Sequence, residues 1–339
     1  MTTLPEIQQI EKRIQDLGTA VKSEILAYSE DQSLRFPIYK ITFGSEDPQA
    51  PVLGFVGGVH GLERIGAQVC VALMNSLAEL AVWDQTLQST LKNIRVFFIP
   101  TVNPIGIYRK TRSNPRGVDL MRNAPVDGEQ PARWVGGHRV SSRLPWYRGV
   151  EGAPMEVEAQ AMVQAVQEEI KHSPLALTLD LHSGFGFQDR LWFPYAKTVK
   201  PFPDLPMTYS LKNLLDRTYP HHFYRVEPQA QSYTTHGDLW DYIYDEHLKT
   251  AAGHQKYLPL CLEMGSWMWV KKNPWQIFRS DGPFNPLKGH RHRRTLRRHN
   301  TLMEFLIRAV ASPQAWANMN GEQEKEWALK AQELWYGTK

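Results

Sequence analysis

The chain has 339 residues, of which 42% are hydrophobic and 22% charged. That composition excludes a generally disordered protein, and the length suffices for one large core. Lysine and arginine exceed aspartate and glutamate by 39 − 35 = 4, too small an excess to point to nucleic acid, and no apolar run approaches the 18 residues of a membrane span.

Residues 1–17 carry Ile7, Ile10, Ile14 and Leu17 at helical spacing, which predicts an amphipathic helix over about 4–28. They lack the apolar core of a secretory signal. Only Cys70 and Cys261 are present, too few for a disulfide scaffold or a zinc quartet. The expectation is a reduced, cytoplasmic protein without a membrane or nucleic-acid partner. Residues 36–43 alternate as a strand does. Residues 52–56 form a short apolar run that stops at Gly57 and Gly58. A helical pattern over 62–82 follows, then a strand at 94–99 closed by Pro100. Residues 128–152, rich in glycine, proline and arginine, read as a long loop. Pro154 opens a helix reaching about residue 172. Strands at 175–181 and 257–262 flank a helix at 205–219. Two further helices, over about 300–336, are expected to dock through Trp316, Met319, Trp327, Leu334 and Trp335.

Strands alternating with helices predict an α/β domain over 1–339, with a mostly parallel or mixed central sheet flanked by helices on both faces. In such sheets ligands gather at the carboxyl ends of strands. His60 and Glu63 follow the run at 52–56, in a stretch where Gly57, Gly58 and Gly61 permit a sharp turn. His182 closes the run that begins at Leu175. Two imidazoles and one carboxylate leave a fourth position open on a tetrahedral zinc. Glu263 ends a third apolar run, between Leu262 and Met264, where a carboxylate needs a partner or a function. The basic run Tyr108-Arg109-Lys110-Thr111-Arg112 supplies guanidinium groups that hold a carboxylate or polarise a carbonyl.

The elements His60-x-x-Glu63, Asn103-Pro104-x-Gly106, Tyr108-Arg109-Lys110-Thr111-Arg112, Gly117-Val118-Asp119-Leu120-x-Arg122-Asn123, Leu181-His182-Ser183 and Glu263 resemble, in order, the zinc carboxypeptidase family. The resemblance implies a carboxypeptidase-like fold and zinc-dependent cleavage of an amide bond, with one zinc per chain on His60, Glu63 and His182. It implies Glu263 as general base, Arg109 at the oxyanion, and Asp119 orienting the first zinc histidine. It implies Arg122 on the substrate carboxylate, and a mobile tyrosine that aligns with Tyr242 or, second, Tyr244. Two positions depart from the pattern. Met121 stands where an asparagine usually precedes Arg122, and Leu62 where digestive members carry arginine. The expected substrate is a peptide or an acyl amino acid. An N-acyl amino acid deacylase and a non-catalytic binding protein on the same scaffold are the alternatives. Two features stay outside this reading: the basic stretch from His290 to His299, taken as solvated, and His221-His222, taken as structural.

Overall fold

The computed structural model describes residues 3–250 and 255–337. A mixed eight-stranded sheet runs through it in the order β1-β2-β4-β3-β5-β8-β6-β7. Its four central strands, β4 (Arg95–Ile99), β3 (Val52–Gly57), β5 (Leu175–Ser183) and β8 (Lys256–Met264), are parallel. Every residue of β3, β4 and β5 is buried, so each reads as a continuous apolar run rather than an alternation. The antiparallel neighbours are β2 (Leu34–Gly44), with β1 (Lys22–Asp31) outside it, and β6 (Arg190–Phe193), which carries the edge strand β7 (Arg225–Pro228).

The helices are α1 (Pro5–Leu17), α2 (Arg64–Trp83), α3 (Gln85–Leu91), α4 (Pro104–Arg109), α5 (Val157–Ile170), α6 (Leu205–Thr218), α7 (Leu239–Thr250), α8 (Trp267–Lys272), α9 (Gly289–Arg298), α10 (Asn300–Val310) and α11 (Gly321–Tyr336). One layer joins α2 to α1, α9 and α10; another joins α5 to α7, and both reach β3. By length and composition α2 is apolar enough to cross a membrane. Here Val69, Cys70, Leu73, Met74 and Leu77 are buried in the core.

The helix predicted over 4–28 stops at Leu17, where Gly18 takes a φ of 52°, and the chain turns into β1. Residues 22–31 pair with β2, so sheet hydrogen bonds override the helical pattern. The helix predicted from Pro154 starts at Val157. The expected docking of 300–336 holds for Trp316 and Trp335, which are buried, whereas Leu334 is 50% exposed. The long loop at 128–152 contains an isolated bridge, His138 to Tyr147.

After β3 the chain crosses to β4 on one side; β5 pairs with β3 on the other. This reversal opens a crevice at the carboxyl ends of β3 and β5. Val56 is level with Asp180, and His182 with Glu263. The three sequence runs that end in candidate ligands therefore finish side by side.

Candidate active site

Three glycines shape the passage from β3 into α2. Gly58 takes a φ of 68°, a conformation that favours glycine. A side chain on Gly61 would collide with the backbone of Gly106 at 2.0 Å, and one on Gly66 with the Leu181 carbonyl at 2.1 Å. The first contact presses the loop on α4, and the second presses the first turn of α2 on the end of β5. Asn103 secures the junction. Its side chain accepts from the Gly106 amide at 2.9 Å, and its own amide donates to Gly58 O.

His60, Glu63 and His182 come together with their ligand atoms within 4.8 Å of one another, all three buried. His60 Nδ1 lies 2.9 Å from Glu63 Oε1 and His182 Nδ1 lies 3.0 Å from Oε2. The Ser183 amide also donates to Glu63 Oε2. Behind the rings, His60 Nε2 meets Asp119 at 3.0 Å and His182 Nε2 meets Asp180 at 2.6 Å. Ionised carboxylates only accept, and each ring faces one at both nitrogens, so each needs either two protons or one proton and a cation in place of the other. With the single proton on Nε2, toward Asp119 and Asp180, both Nδ1 lone pairs face carboxylate oxygens of Glu63, acceptor against acceptor. A cation shared between them resolves the conflict, and the donor set of two nitrogens and a carboxylate suits zinc. The residues present fit the metal.

The charges are arranged in opposition. Burial works to raise the Glu63 pKa, but His60 and His182 outweigh it and hold the carboxyl well below the usual range. Burial likewise opposes ionisation of Asp119, yet Arg112 and His60 keep it firmly ionised. Burial opposes a charge on His182, and Asp180 and Glu63 restore it, so its pKa rises. Glu263 goes the other way. Burial, then the charge of Glu63, pushes its pKa up to about 8, while the Phe185 amide donates to its Oε1 at 3.0 Å. Two carboxyl groups pushed apart in this way separate a ligand from a proton carrier.

The structure places two of the candidate residues away from the cradle. Arg109 does not reach the site. It sits at the end of α4 and pairs with Asp31 at the end of β1. Lys110 then takes a left-handed φ of 57°, which ends the helix and turns the chain. Past that turn, Arg112 donates from Nε to Asp119 Oδ2 at 2.7 Å and from Nη1 to Glu63 Oε1 at 3.3 Å. Arg112, not Arg109, is the guanidinium beside the metal cradle. Tyr242 and Tyr244 are also elsewhere: Tyr242 packs against the core, and the Tyr244 hydroxyl donates to Asp204. The tyrosine at the site is Tyr233. Its ring packs against that of Phe185, with centroids 5.9 Å apart; it lies in the fields of Arg122, Glu263 and Arg112, and burial is the chief cause that raises its pKa.

Arg122 is buried and donates to the Val135 and Met121 carbonyls at 3.1–3.2 Å. Its charge is felt at Asp119 and at the buried Asp238. Asp180 carries a supporting role that the sequence reading gave to no residue. Its signal is present, because Asp180 and His182 are two apart on a strand and share a face; Trp240 Nε1 fixes the same carboxylate oxygen at 2.8 Å. A second support comes from far along the chain. Asn285 accepts from the Ile65 amide at 2.9 Å and donates to the Leu62 and Asp281 carbonyls at 2.8 Å. Ser183 Oγ donates to the Phe284 carbonyl at 2.8 Å. Residues 281–285 thus clamp both ligand-bearing loops.

A metal-binding cradle faced by a raised glutamate is the equipment of the metallohydrolases, in which a carboxylate moves the proton of an attacking water. The zinc carboxypeptidase family profile matches residues 31–266, and the chain belongs to that family. It is 27% identical to mouse carboxypeptidase A4 over 243 residues, covering 63% of this chain and 53% of that protein. It is 28% identical to carboxypeptidase SOL1 of Arabidopsis thaliana over 120 residues, 34% of this chain and 24% of the relative. The chain thus spans between about a quarter and about half of these relatives' length. The fold is similar to that of bovine thrombin-activatable fibrinolysis inhibitor in complex with tick carboxypeptidase inhibitor. That match has a TM-score of 0.63 and 18% identity, and covers 92% of this chain and 96% of that one. It is also similar to carboxypeptidase A from Helicoverpa armigera, with a TM-score of 0.59 and 16% identity over 89% of this chain and 71% of the other.

Proposed function

We propose that the protein is a zinc-dependent peptidase that cleaves an amide bond near a free carboxylate. The observation that carries this reading is the convergence of His60, Glu63 and His182 on one point, with Glu263 level with His182 on the neighbouring strand. Bound zinc would supply a Lewis acid that polarises the scissile carbonyl and acidifies water. Glu263, level with His182 on the neighbouring strand, takes the proton of the attacking water and hands it to the leaving amine. Arg112, positively charged and braced by Asp119, stabilises the negative oxygen that develops on the carbonyl. Arg122 and Tyr233 grip the substrate carboxylate. With Met121 apolar and Leu62 in place of an arginine, that grip rests on fewer donors than in the digestive pattern.

Elemental analysis of the purified protein is expected to give one zinc per chain. A matched pair of substrates, free acid and amide, tests the carboxylate grip on wild type and on Arg122→Ala. Wild type is expected to prefer the acid and the variant to lose the preference. Equal rates on acid and amide by wild type would move the protein to an amidase that ignores the chain end.

A further inference from the structure

Past Glu263 the sheet continues into β6 and β7, and beside those strands lies a groove of about 2010 Å³. Pockets for small ligands occupy roughly 300–1,000 Å³, so this groove has room for a segment of chain. It begins at Phe185, whose amide holds Glu263, and at Gly265. Neither Arg122 nor Tyr233 lines it, so it is a space apart from the carboxylate grip. Its outer walls come from α6, α9 and α11.

Eight lysines and arginines line the groove against four aspartates and glutamates. Three of the acids are already neutralised. Arg298 meets Asp189 at 3.0 Å, Lys212 meets Asp216 at 2.5 Å, and Glu227 is shared by Arg190 and Arg225 at 2.7 and 2.5 Å. The cations left over gather where α8 meets α9. Arg291 donates to the Trp269 and Lys272 carbonyls at 3.4 Å, which draws Arg291, Arg294 and Lys272 to one corner. Arg294 and Lys272 are exposed, and their side chains have no partner among the described residues. At the inner end, Arg190 pairs in register with Glu263 across β6 and β8, and its guanidinium lies 5.1 Å from the centre of the Phe185 ring. One of its nitrogens, Nη1, is buried without a partner. Like charges crowded in this way repel one another and favour an anionic occupant.

We propose that this groove receives an acidic stretch of the peptide substrate, on the side of the scissile bond away from the terminal carboxylate. The proposal rests on the peptidase reading above and names its substrate class. The basic stretch from His290 to His299 thereby acquires a purpose, since Arg291, Arg294 and Arg298 share the face of α9 that lines the groove.

The test uses two fluorogenic peptides with the same last two residues and either four glutamates or four glutamines before them. At low salt the glutamate peptide is expected to have kcat/KM about 10-fold higher or more, through KM, and the advantage should shrink as salt is raised. Replacing both Lys272→Glu and Arg294→Glu should erase the preference. The rate on a blocked dipeptide, too short to enter the groove, should not change. Equal handling of the two peptides by protein that cleaves the dipeptide overturns the groove assignment and leaves the peptidase reading standing. If nothing is cleaved, the peptidase reading fails, and anisotropy of the labelled glutamate peptide reads the groove alone. Binding that the double reversal weakens about 10-fold supports the groove; binding indifferent to it overturns the assignment. An oligothymidylate of equal charge that binds more tightly than the peptide, and is lost in the same variant, overturns the peptide in favour of nucleic acid.

Discussion

Asp119 divides one carboxylate between two partners, His60 on Oδ1 and Arg112 on Oδ2. Asp119→Asn keeps the shape but replaces one oxygen by a donor, so it opposes either the imidazole N–H or the guanidinium. Zinc affinity, measured by competition with a chelator, is expected to fall about 10- to 100-fold. Turnover should fall further than zinc loss explains. The two arginines of the basic run separate cleanly. Arg112→Ala is expected to lower kcat by about 100-fold or more, whereas Arg109→Ala, which breaks the pair with Asp31, should leave kcat near wild type. The reverse ranking in steady-state kinetics would return the oxyanion role to Arg109. The sequence carried both arginines three positions apart, and only the left-handed turn at Lys110 decides between them. Tyr233 was less legible still, because it lies in coil, where no periodicity points a side chain.

At the scale of elements, the central strands were readable because burial on both faces makes them continuous apolar runs. β1 and β7 were not. Both are edge strands with exposed or half-buried positions, and their pairing depends on partners elsewhere in the chain. The contact between α2 and the end of β5 was equally hidden, although one glycine encodes it. Gly66→Ala would set a methyl group 2.1 Å from the Leu181 carbonyl. Overpacking of this kind costs about 1–3 kcal/mol, and the helix can yield only by retreating from β5. Since Glu63 precedes that helix, the variant is expected to lose both thermal stability and zinc affinity. A lower Tm with zinc affinity intact would show that the cradle moves independently of α2.

For the whole molecule, one buried histidine far from the cradle sets a pH dependence. His299 is 1% exposed, and burial, followed by the charge of Arg298, holds its pKa down to about 3. Unfolded, the same group titrates near 6.5. Between those values the unfolded chain binds a proton that the folded protein refuses. Its contribution to stability is therefore complete above about pH 6.5 and declines as the pH falls, by at most about 1.4 kcal/mol per pH unit. Urea midpoints for wild type and His299→Gln should converge as the pH drops from 7 to 4.5; parallel lines would remove His299 from the account. The clamp at residues 281–285 has a further consequence, in time rather than in space. During synthesis His60, Glu63 and His182 emerge long before Asn285, which secures the loops that carry them. Contacts so distant in sequence close late. A nascent chain arrested before Asp281 is therefore expected to display all three ligands yet release zinc readily to a chelator, and one arrested well beyond Asn285 to retain it, so that metal capture marks the near-completion of the fold.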